Sequence, residues 1–332
     1  MKRILVTGGA GYVGNVLVPR LLELDYEVLV YDILFFGKDT LPLNNKNLKV
    51  VQGDIRDTKK LKKNLMNIDA VIHLACISND PSFLLDEELS RSINYDCFEP
   101  MVLASKEAGV KRFIYCSSSS VYGVSELPEV REDTPLVPLT LYNKYKGLCE
   151  PLLLKHCDEN FTGVIVRPAT ICGYSPRMRL DLSVNILTNQ AVNLGEINVF
   201  GGNQQRPNLH IQDMCDLYIL LLKEDKEKIQ KEIFNVGHQN LSMMEIAEKV
   251  KLAVERLTEK NQSIQIKITT SEDNRSYRIN SDKIYKKLGF LPKREISDAV
   301  EELFIKFKNG ALPNSFDDDC YYNVRQLKKK GA

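Results

Sequence analysis

The chain begins MKRILVTGGAGYVG, and no other stretch limits its possible folds so tightly. Ile4, Leu5 and Val6 form a short apolar run bounded by glycines, which reads as a parallel strand buried on both faces. Gly8, Gly11 and Gly14 follow at spacings of three. They remove Cβ atoms where the backbone must turn sharply and where the next helix must pack against the strand. A helix expected over 16–24 would open its N-terminus onto that turn, and unpaired N–H groups at the positive end of a helix dipole suit a diphosphate. Glycine spacing alone fits any tight strand-to-helix turn. The second apolar run, 27–31, adds the deciding residue: it ends at Asp32, 18 residues beyond Gly14. A carboxylate there accepts hydrogen bonds from ribose hydroxyls and repels a 2′-phosphate. The expectation is an α/β chain with a doubly wound parallel sheet of the Rossmann type, cradling NAD rather than NADP.

Composition narrows the partners. Lys and Arg number 45 against 44 acidic residues, a formal charge of +1 that offers no global field for nucleic acid or an anionic membrane. At 332 residues the chain can bury one large or two modest cores. No apolar run approaches the ~18 residues of a spanning helix, and no secretory signal is evident, so a cytoplasmic protein is expected. Eight cysteines are scattered without a C-x-x-C pair, so neither a metal site nor a redox dithiol is expected.

Further along, 48–52 reads as a strand ending at Gly53-Asp54-Ile55-Arg56-Asp57. Asp57 suits an N-cap for the helix over 59–67, whereas Asp54 could cap or, with the Ile55 backbone, lie beside an adenine ring. The run 70–75 supplies the next buried strand. In a doubly wound sheet the strand ends share one crevice, so Ala75 and Cys76 should face the same cofactor as Gly11. His73 lies mid-strand and reads as a core histidine. Ser78, Asn79 and Asp80, just past the strand, are polar groups where a substrate could sit. A long helix carrying Asn94 is expected over 89–108, then a strand over 112–116. Four serines, Ser117 to Ser120, follow it at the crevice end and form either a hydroxyl-bearing lip or a turn.

Tyr142 and Lys146, four apart at the start of the next helix, share one helix face. An ammonium beside a phenol favours the phenolate, and that makes a general base. Such a base can take a hydroxyl proton while the neighbouring carbon gives up hydride to a nicotinamide.

With TGGAGYVG, GDIRD, HLA, SSSSVYG, YNKYK, Arg167-Pro168, RPNLHIQD and NVG in order, nearly the whole chain resembles the extended short-chain dehydrogenase/reductases that modify nucleotide sugars. The resemblance implies that Tyr142 is the base, Lys146 its partner and the holder of the nicotinamide ribose, and Ser118 the bridging hydroxyl. It adds Tyr12, Val13, Leu74 and Pro168 to the cofactor contacts. Asn185 and Arg206 are implied at the substrate diphosphate, Arg275 as a second clamp, and Val199 on the strand packing against the nucleotide base. Tyr145 replaces the serine usual in this motif, a packing change. Dehydratases of this family carry Asp-Glu after the catalytic hydroxyl; here those positions are Ser119 and Ser120, which argues against elimination.

What remains is hydride chemistry at carbon 4 of a UDP-, GDP-, dTDP- or CDP-sugar, as a 4-dehydrogenase or 4-epimerase in surface polysaccharide synthesis. The alternatives are an NADP-dependent 4-ketosugar reductase and a non-catalytic NAD-sensing protein. The expected organisation is a cofactor domain over 1–170, rejoined at about 208–235, and a smaller α/β substrate domain over 171–207 and 236–316. The mouth of the sugar region is expected at the 171–179 loop, which carries Arg177 and Arg179, and 317–332 reads as a tail. A homodimer or larger homo-oligomer through the helices near 90–108 and 142–157 is implied by the resemblance.

Overall fold

The computed structural model describes residues 1–258, 263–270 and 275–331. Its strands, numbered in chain order, are β1 (Arg3–Thr7), β2 (Glu27–Asp32), β3 (Leu48–Gln52), β4 (Ala70–His73), β5 (Arg112–Cys116), β6 (Thr162–Pro168), β7 (Thr170–Cys172), β8 (Glu196–Phe200), β9 (Gln205–His210), β10 (Glu232–Val236), β11 (Gln239–Ser242) and β12 (Gln265–Thr269). Seven of them form one parallel sheet in the order β10-β6-β5-β4-β1-β2-β3. This is the doubly wound α/β arrangement that the sequence implies.

Successive side chains of a strand point to opposite faces, and both faces are covered. Ile4 and Val6 enter one apolar core while Leu5 enters the other, and β4, β5 and β6 repeat the division. Continuous apolar runs therefore form strands here, because neither face needs a polar residue. Chain direction around the sheet reverses between β1 and β4, and the crevice at that switch point is where an α/β sheet binds its ligand.

The second lobe has its own core. Helices Ser183–Leu194, Met243–Leu257 and Ile296–Lys308 enclose β8, which pairs in parallel with β12. A small sheet, β11-β9-β7, joins the lobes. Ser242 starts the helix Met243–Leu257 with the expected capping box, its hydroxyl accepting from the Glu245 amide at 3.1 Å and Glu245 returning to the Ser242 N–H at 2.7 Å.

Two segments differ from expectation. The helix expected over 89–108 is broken into Glu87–Arg91, a π-helical turn Ser92–Asp96, and Phe98–Glu107. The cause is Asn94, whose side chain bonds Ile77 in both directions, at 2.8 and 2.9 Å, and draws the turn toward the crevice. The expected tail instead folds back as a helix, Asn323–Lys330. Leu327 is buried in the core beside β2, and Gln326 Nε2 donates to the Phe35 carbonyl at 2.9 Å. Charge runs at either end of this segment hide the few residues that anchor it.

Candidate active site

One cavity of about 630 Å³ runs from the glycine turn to the second lobe, within the range of small-molecule sites. Its cofactor wall is largely backbone. Gly8 has φ +70°, and a Cβ there would lie 2.6 Å from the Ala75 amide nitrogen, so only glycine lets β1 and β4 approach at the switch point. A Cβ on Gly14 would lie 2.3 Å from the Gly9 carbonyl oxygen. Gly11 is different: a Cβ there would meet only the Gly8 carbonyl, at 3.1 Å, and the rest of its surroundings is cavity. The first helix begins at Gly14, two residues earlier than expected, and no side chain caps it. The Asn15 and Val16 amides already donate to the Gly11 and Val13 carbonyls, at 3.0 and 3.1 Å, which leaves the Tyr12, Val13 and Gly14 amides of the turn to meet an anion, the fit a dinucleotide diphosphate requires.

Gly8, Gly11, Tyr12, Val13, Gly14, Asp32, Asp54, Ile55, Leu74, Ala75, Lys146 and Pro168 all line this cavity. Asp32 is fixed at the tip of β2, accepting from the Ala10 and Leu34 amides at 3.0 and 2.7 Å. Burial raises its pKa, and those two amides oppose the rise. Asp57 caps the helix Thr58–Leu65, accepting from the Lys60 amide at 3.0 Å. Asp54 does not cap it: both carboxylate oxygens are taken by the Arg56 guanidinium, at 2.6 to 3.0 Å. His73 is a core histidine, with Nδ1 2.7 Å from the Thr7 hydroxyl, and burial pushes its pKa down to about 3.

The helix that carries Tyr142 and Lys146, Leu141–His156, is started by Thr140, whose hydroxyl accepts from the Asn143 amide at 3.3 Å. Tyr142 and Lys146 lie one turn apart and both face the cavity. Lys146 is buried and its Nζ donates to the Cys116 carbonyl at 2.7 Å, which anchors the ammonium at the end of β5. The Tyr142 hydroxyl has no protein hydrogen-bond partner among the described residues and opens to the cavity. Ser118 also lines it, 2.7 Å from the Ser120 hydroxyl, and Ser120 donates in turn to Asn143 on the same helix as Tyr142. The Tyr142 phenol, the Lys146 ammonium and the Ser118 hydroxyl therefore share one wall. Tyr145 packs between Phe83 and Tyr95, at ring separations of 5.7 and 5.3 Å, away from this chemistry.

The electrostatics correct one expectation. Burial pushes the Tyr142 phenol above its ordinary pKa; Lys146 pulls it down, as expected, without reversing the rise. For Lys146, burial alone would lower the pKa, but the nearby Cys76, Tyr142, Cys116 and Cys149 groups favour the charged form and raise it overall. The phenol therefore holds its proton at neutral pH in the ligand-free protein.

On the substrate side, Ser78, Arg206 and Arg275 line the cavity, whereas Asn185 and Val199 do not. Asn185 is fully buried, accepting from the Gly173 amide at 3.1 Å and donating to the Tyr12 hydroxyl and Arg179 carbonyl at 3.1 and 2.9 Å. It is a strut joining the lobes, with no free group for a diphosphate. Val199 points into the core of the second lobe, and its neighbour Phe200 faces the cavity instead, since side chains alternate along a strand. Arg206 donates to the Arg275 carbonyl, and Arg275 pairs with Asp80. Arg179 pairs with Asp181 at 2.9 Å and reaches Ser78 at 3.3 Å.

Residues 4–237 match the NAD dependent epimerase/dehydratase family. The chain belongs to that family. It is 29% identical over 270 residues to a UDP-glucose 4-epimerase of Lactobacillus helveticus, covering 75% of this chain and 81% of that one. It is equally 29% identical over 318 residues to a dTDP-D-glucose 4,6-dehydratase of Mus musculus, covering 91% and 87%. Among solved structures, a UDP-glucuronic acid 4-epimerase from Bacillus cereus, in complex with UDP-glucuronic acid and NAD, superposes with a TM-score of 0.81 at 27% identity, covering 92% and 99%. The chain is therefore an NAD-dependent nucleotide-sugar enzyme of the extended short-chain dehydrogenase/reductase type.

Several residues that build this enzyme's site were not singled out from sequence. Asn15 pins the glycine turn through the Ala10 and Gly11 carbonyls, at 2.8 and 3.1 Å. Glu150, two turns beyond Tyr142 on the same helix face, is buried against Arg167 at 2.6 Å and accepts from Ser117 at 2.7 Å. The i, i+4, i+8 spacing of Tyr142, Lys146 and Glu150 was the signal that could have found it. Asn323, from the C-terminal helix, donates to the Ser78 hydroxyl at 2.8 Å, and no local pattern announces a contact 245 residues away.

Proposed function

We propose that the enzyme oxidises a nucleotide-linked sugar at carbon 4, as a 4-epimerase or 4-dehydrogenase serving surface polysaccharide assembly. The observation that carries the reading is the shared wall on which Tyr142, Lys146 and Ser118 face the same cavity as the glycine turn. Bound NAD supplies the acceptor for the hydride that leaves the sugar carbon. The phenol must first give its proton to solvent; the phenolate, stabilised by Lys146, then takes the sugar hydroxyl proton and returns to the neutral phenol as hydride leaves the carbon, while Ser118 orients the reacting oxygen. The ammonium is fixed by the Cys116 carbonyl, so it needs no rearrangement to hold the phenolate that accepts the proton.

Support for a reaction that stops at carbon 4 comes from the residues beside Ser118. Ser119 is buried 3.3 Å from the Tyr277 hydroxyl, and Ser120 is bound to Asn143. Neither can act as the carboxyl acid or base that elimination of water needs. Carboxylates that do line the cavity are engaged: Asp32 by backbone, Asp54 by Arg56, Asp80 by Arg275 and Asp181 by Arg179.

Arg206 and Arg275 are proposed to hold the substrate diphosphate, since the planar guanidinium fork matches phosphate oxygens. Homodimer formation is proposed through helices Phe98–Glu107 and Leu141–His156, which pack together and leave Leu103 and Leu148 exposed. Mass spectrometry of UDP-, GDP-, dTDP- and CDP-sugars incubated with enzyme and NAD tests the central reading. An isomer of unchanged mass indicates epimerisation, and a product lighter by one molecule of hydrogen indicates dehydrogenation. Loss of water would overturn the proposal.

A further inference from the structure

Arg177 differs from the other cations of the cavity. The residue is only 5% exposed yet forms part of the cavity wall. The guanidinium stacks on Phe36 with its carbon 3.5 Å from the ring centroid, and one Nη donates to Asn323 Oδ1 at 2.6 Å. Its Nε is buried without any hydrogen-bond partner. Among the described residues no carboxylate lies in ion-pair contact with it. The nearest candidate, Asp181, is held by Arg179 through both oxygens, at 2.9 and 3.1 Å, and also accepts from Asn79 and the Asn323 amide at 3.1 and 3.3 Å. Burial and the neighbouring Arg179 push the Arg177 pKa down to about 9.

A guanidinium withdrawn from water with an unmet donor is costly, and the cost is relieved where an anion completes it. The neighbourhood says which anion. Phe36 belongs to the loop after Asp32, on the adenosine side of the cavity. The loop carrying Arg177 is tied to the glycine turn itself, because the Ser175 hydroxyl donates to the Tyr12 carbonyl at 2.7 Å and the Tyr12 hydroxyl donates to the Gly173 carbonyl at 2.6 Å. Arg177 therefore stands at the cofactor end, although the sequence places it at the mouth of the sugar region. We infer that Arg177 is a second hold on the cofactor's diphosphate, opposite the Tyr12, Val13 and Gly14 amides of the glycine turn, with Asn323 of the C-terminal helix as its positioning residue. The cofactor would then be gripped from both sides, by backbone below and by one side chain above.

The inference rests on NAD as cofactor but not on carbon-4 chemistry, and its test contains no sugar. Titration calorimetry of the nucleotide-free enzyme with NAD, ADP-ribose and adenosine compares wild type with Arg177→Met. The variant should weaken NAD and ADP-ribose by about 10- to 100-fold, the range of a charge-assisted contact, and leave adenosine within about twofold. Wild-type ADP-ribose affinity should also fall more steeply with salt than that of the variant. Arg177→Lys should recover part of the loss, because an ammonium supplies charge without the fork. It also carries the test if the methionine variant fails to fold: ADP-ribose weakened by about threefold or more, with adenosine unchanged, supports the inference. Unchanged ADP-ribose binding overturns it. Equal losses for adenosine, showing that the stack on Phe36 only shapes the pocket, would overturn it too, as would loss of NADP binding with NAD intact.

Discussion

The two walls of the cavity are built on different principles. On the cofactor wall the working groups are amides and carbonyls whose positions follow from strand packing, and Gly8 and Gly14 there have no spare room. On the substrate wall the working groups are long side chains that engage one another: Arg275 with Asp80, Arg206 with the Arg275 carbonyl, Arg179 with Asp181, Asn323 with Ser78. A backbone cradle binds the same cofactor whatever the surrounding side chains. A side-chain wall can be re-paired by few substitutions, which suits a family whose members act on different sugars.

Tyr142 stands at the seam of the two walls, and its substitution should have the largest effect. Tyr142→Phe should lower kcat by about 10²- to 10⁴-fold, the usual contribution of a general base, with NAD affinity unchanged. Turnover by product mass spectrometry and NAD binding by calorimetry check both halves. If the variant also loses NAD, the seam is not a seam and the phenol belongs to the cofactor wall.

Gly8→Ala tests the cofactor wall itself. The added methyl would press on the Ala75 amide at a backbone φ of +70°, so a stability loss of about 1–3 kcal/mol in urea and a marked fall in NAD affinity are expected. Gly109→Ala is the control: φ is +82°, but no atom lies within 4 Å of the new Cβ. It should cost about 1–2 kcal/mol of backbone strain and leave NAD binding alone. Equal NAD affinities in the two variants would mean that close packing at the switch point is irrelevant to the cradle.

The same contrast explains what could be read from sequence. The strands of the sheet, the glycine turn, Asp32 and the Tyr142–Lys146 pair all depend on local periodicity or on short spacings, which the chain displays openly. Asn185 and Val199 could not be placed in that way. Whether a residue on a helix or strand faces a ligand or a core is set by what packs against it, and Val199 and Phe200 exchange roles with a rotation of one residue. Asn94 and Asn323 act through partners 17 and 245 residues distant. The phenol's direction of shift was misjudged for a related reason: the attraction of Lys146 is visible in the spacing, but burial, the larger effect, is a property of the assembled cavity.

Asp80→Asn probes the substrate wall. The carboxylate holds Arg275 and accepts from the Thr140 hydroxyl that starts the helix of Tyr142. Removing its charge should raise KM for the nucleotide sugar by about 3- to 10-fold, equivalent to roughly 0.7–1.4 kcal/mol, with NAD affinity unchanged. A fall in KM would show instead that Asp80 competes with the substrate for Arg275. Loss of NAD affinity would show that the walls are not independent.

The smallest effect is expected where the cofactor wall borrows the substrate wall's device, at the ion pair of Asp54 and Arg56. Burial raises the Asp54 pKa, but the Arg56 guanidinium and amide outweigh it, and the net shift is downward. A depressed pKa in the folded state adds stability that is complete above the unfolded value, about 3.9, and drains away as pH falls through the folded value. Both side chains are partly exposed, so the pair should contribute no more than about 1 kcal/mol. Arg56→Ala should therefore lower the urea midpoint slightly at pH 7, and the gap to wild type should close as pH falls below about 4. A gap that persists in acid would assign the role of Arg56 to its 3.1 Å contact with the Ser92 hydroxyl rather than to charge. The π-helical turn that carries Ser92 would then be the element that the arginine secures.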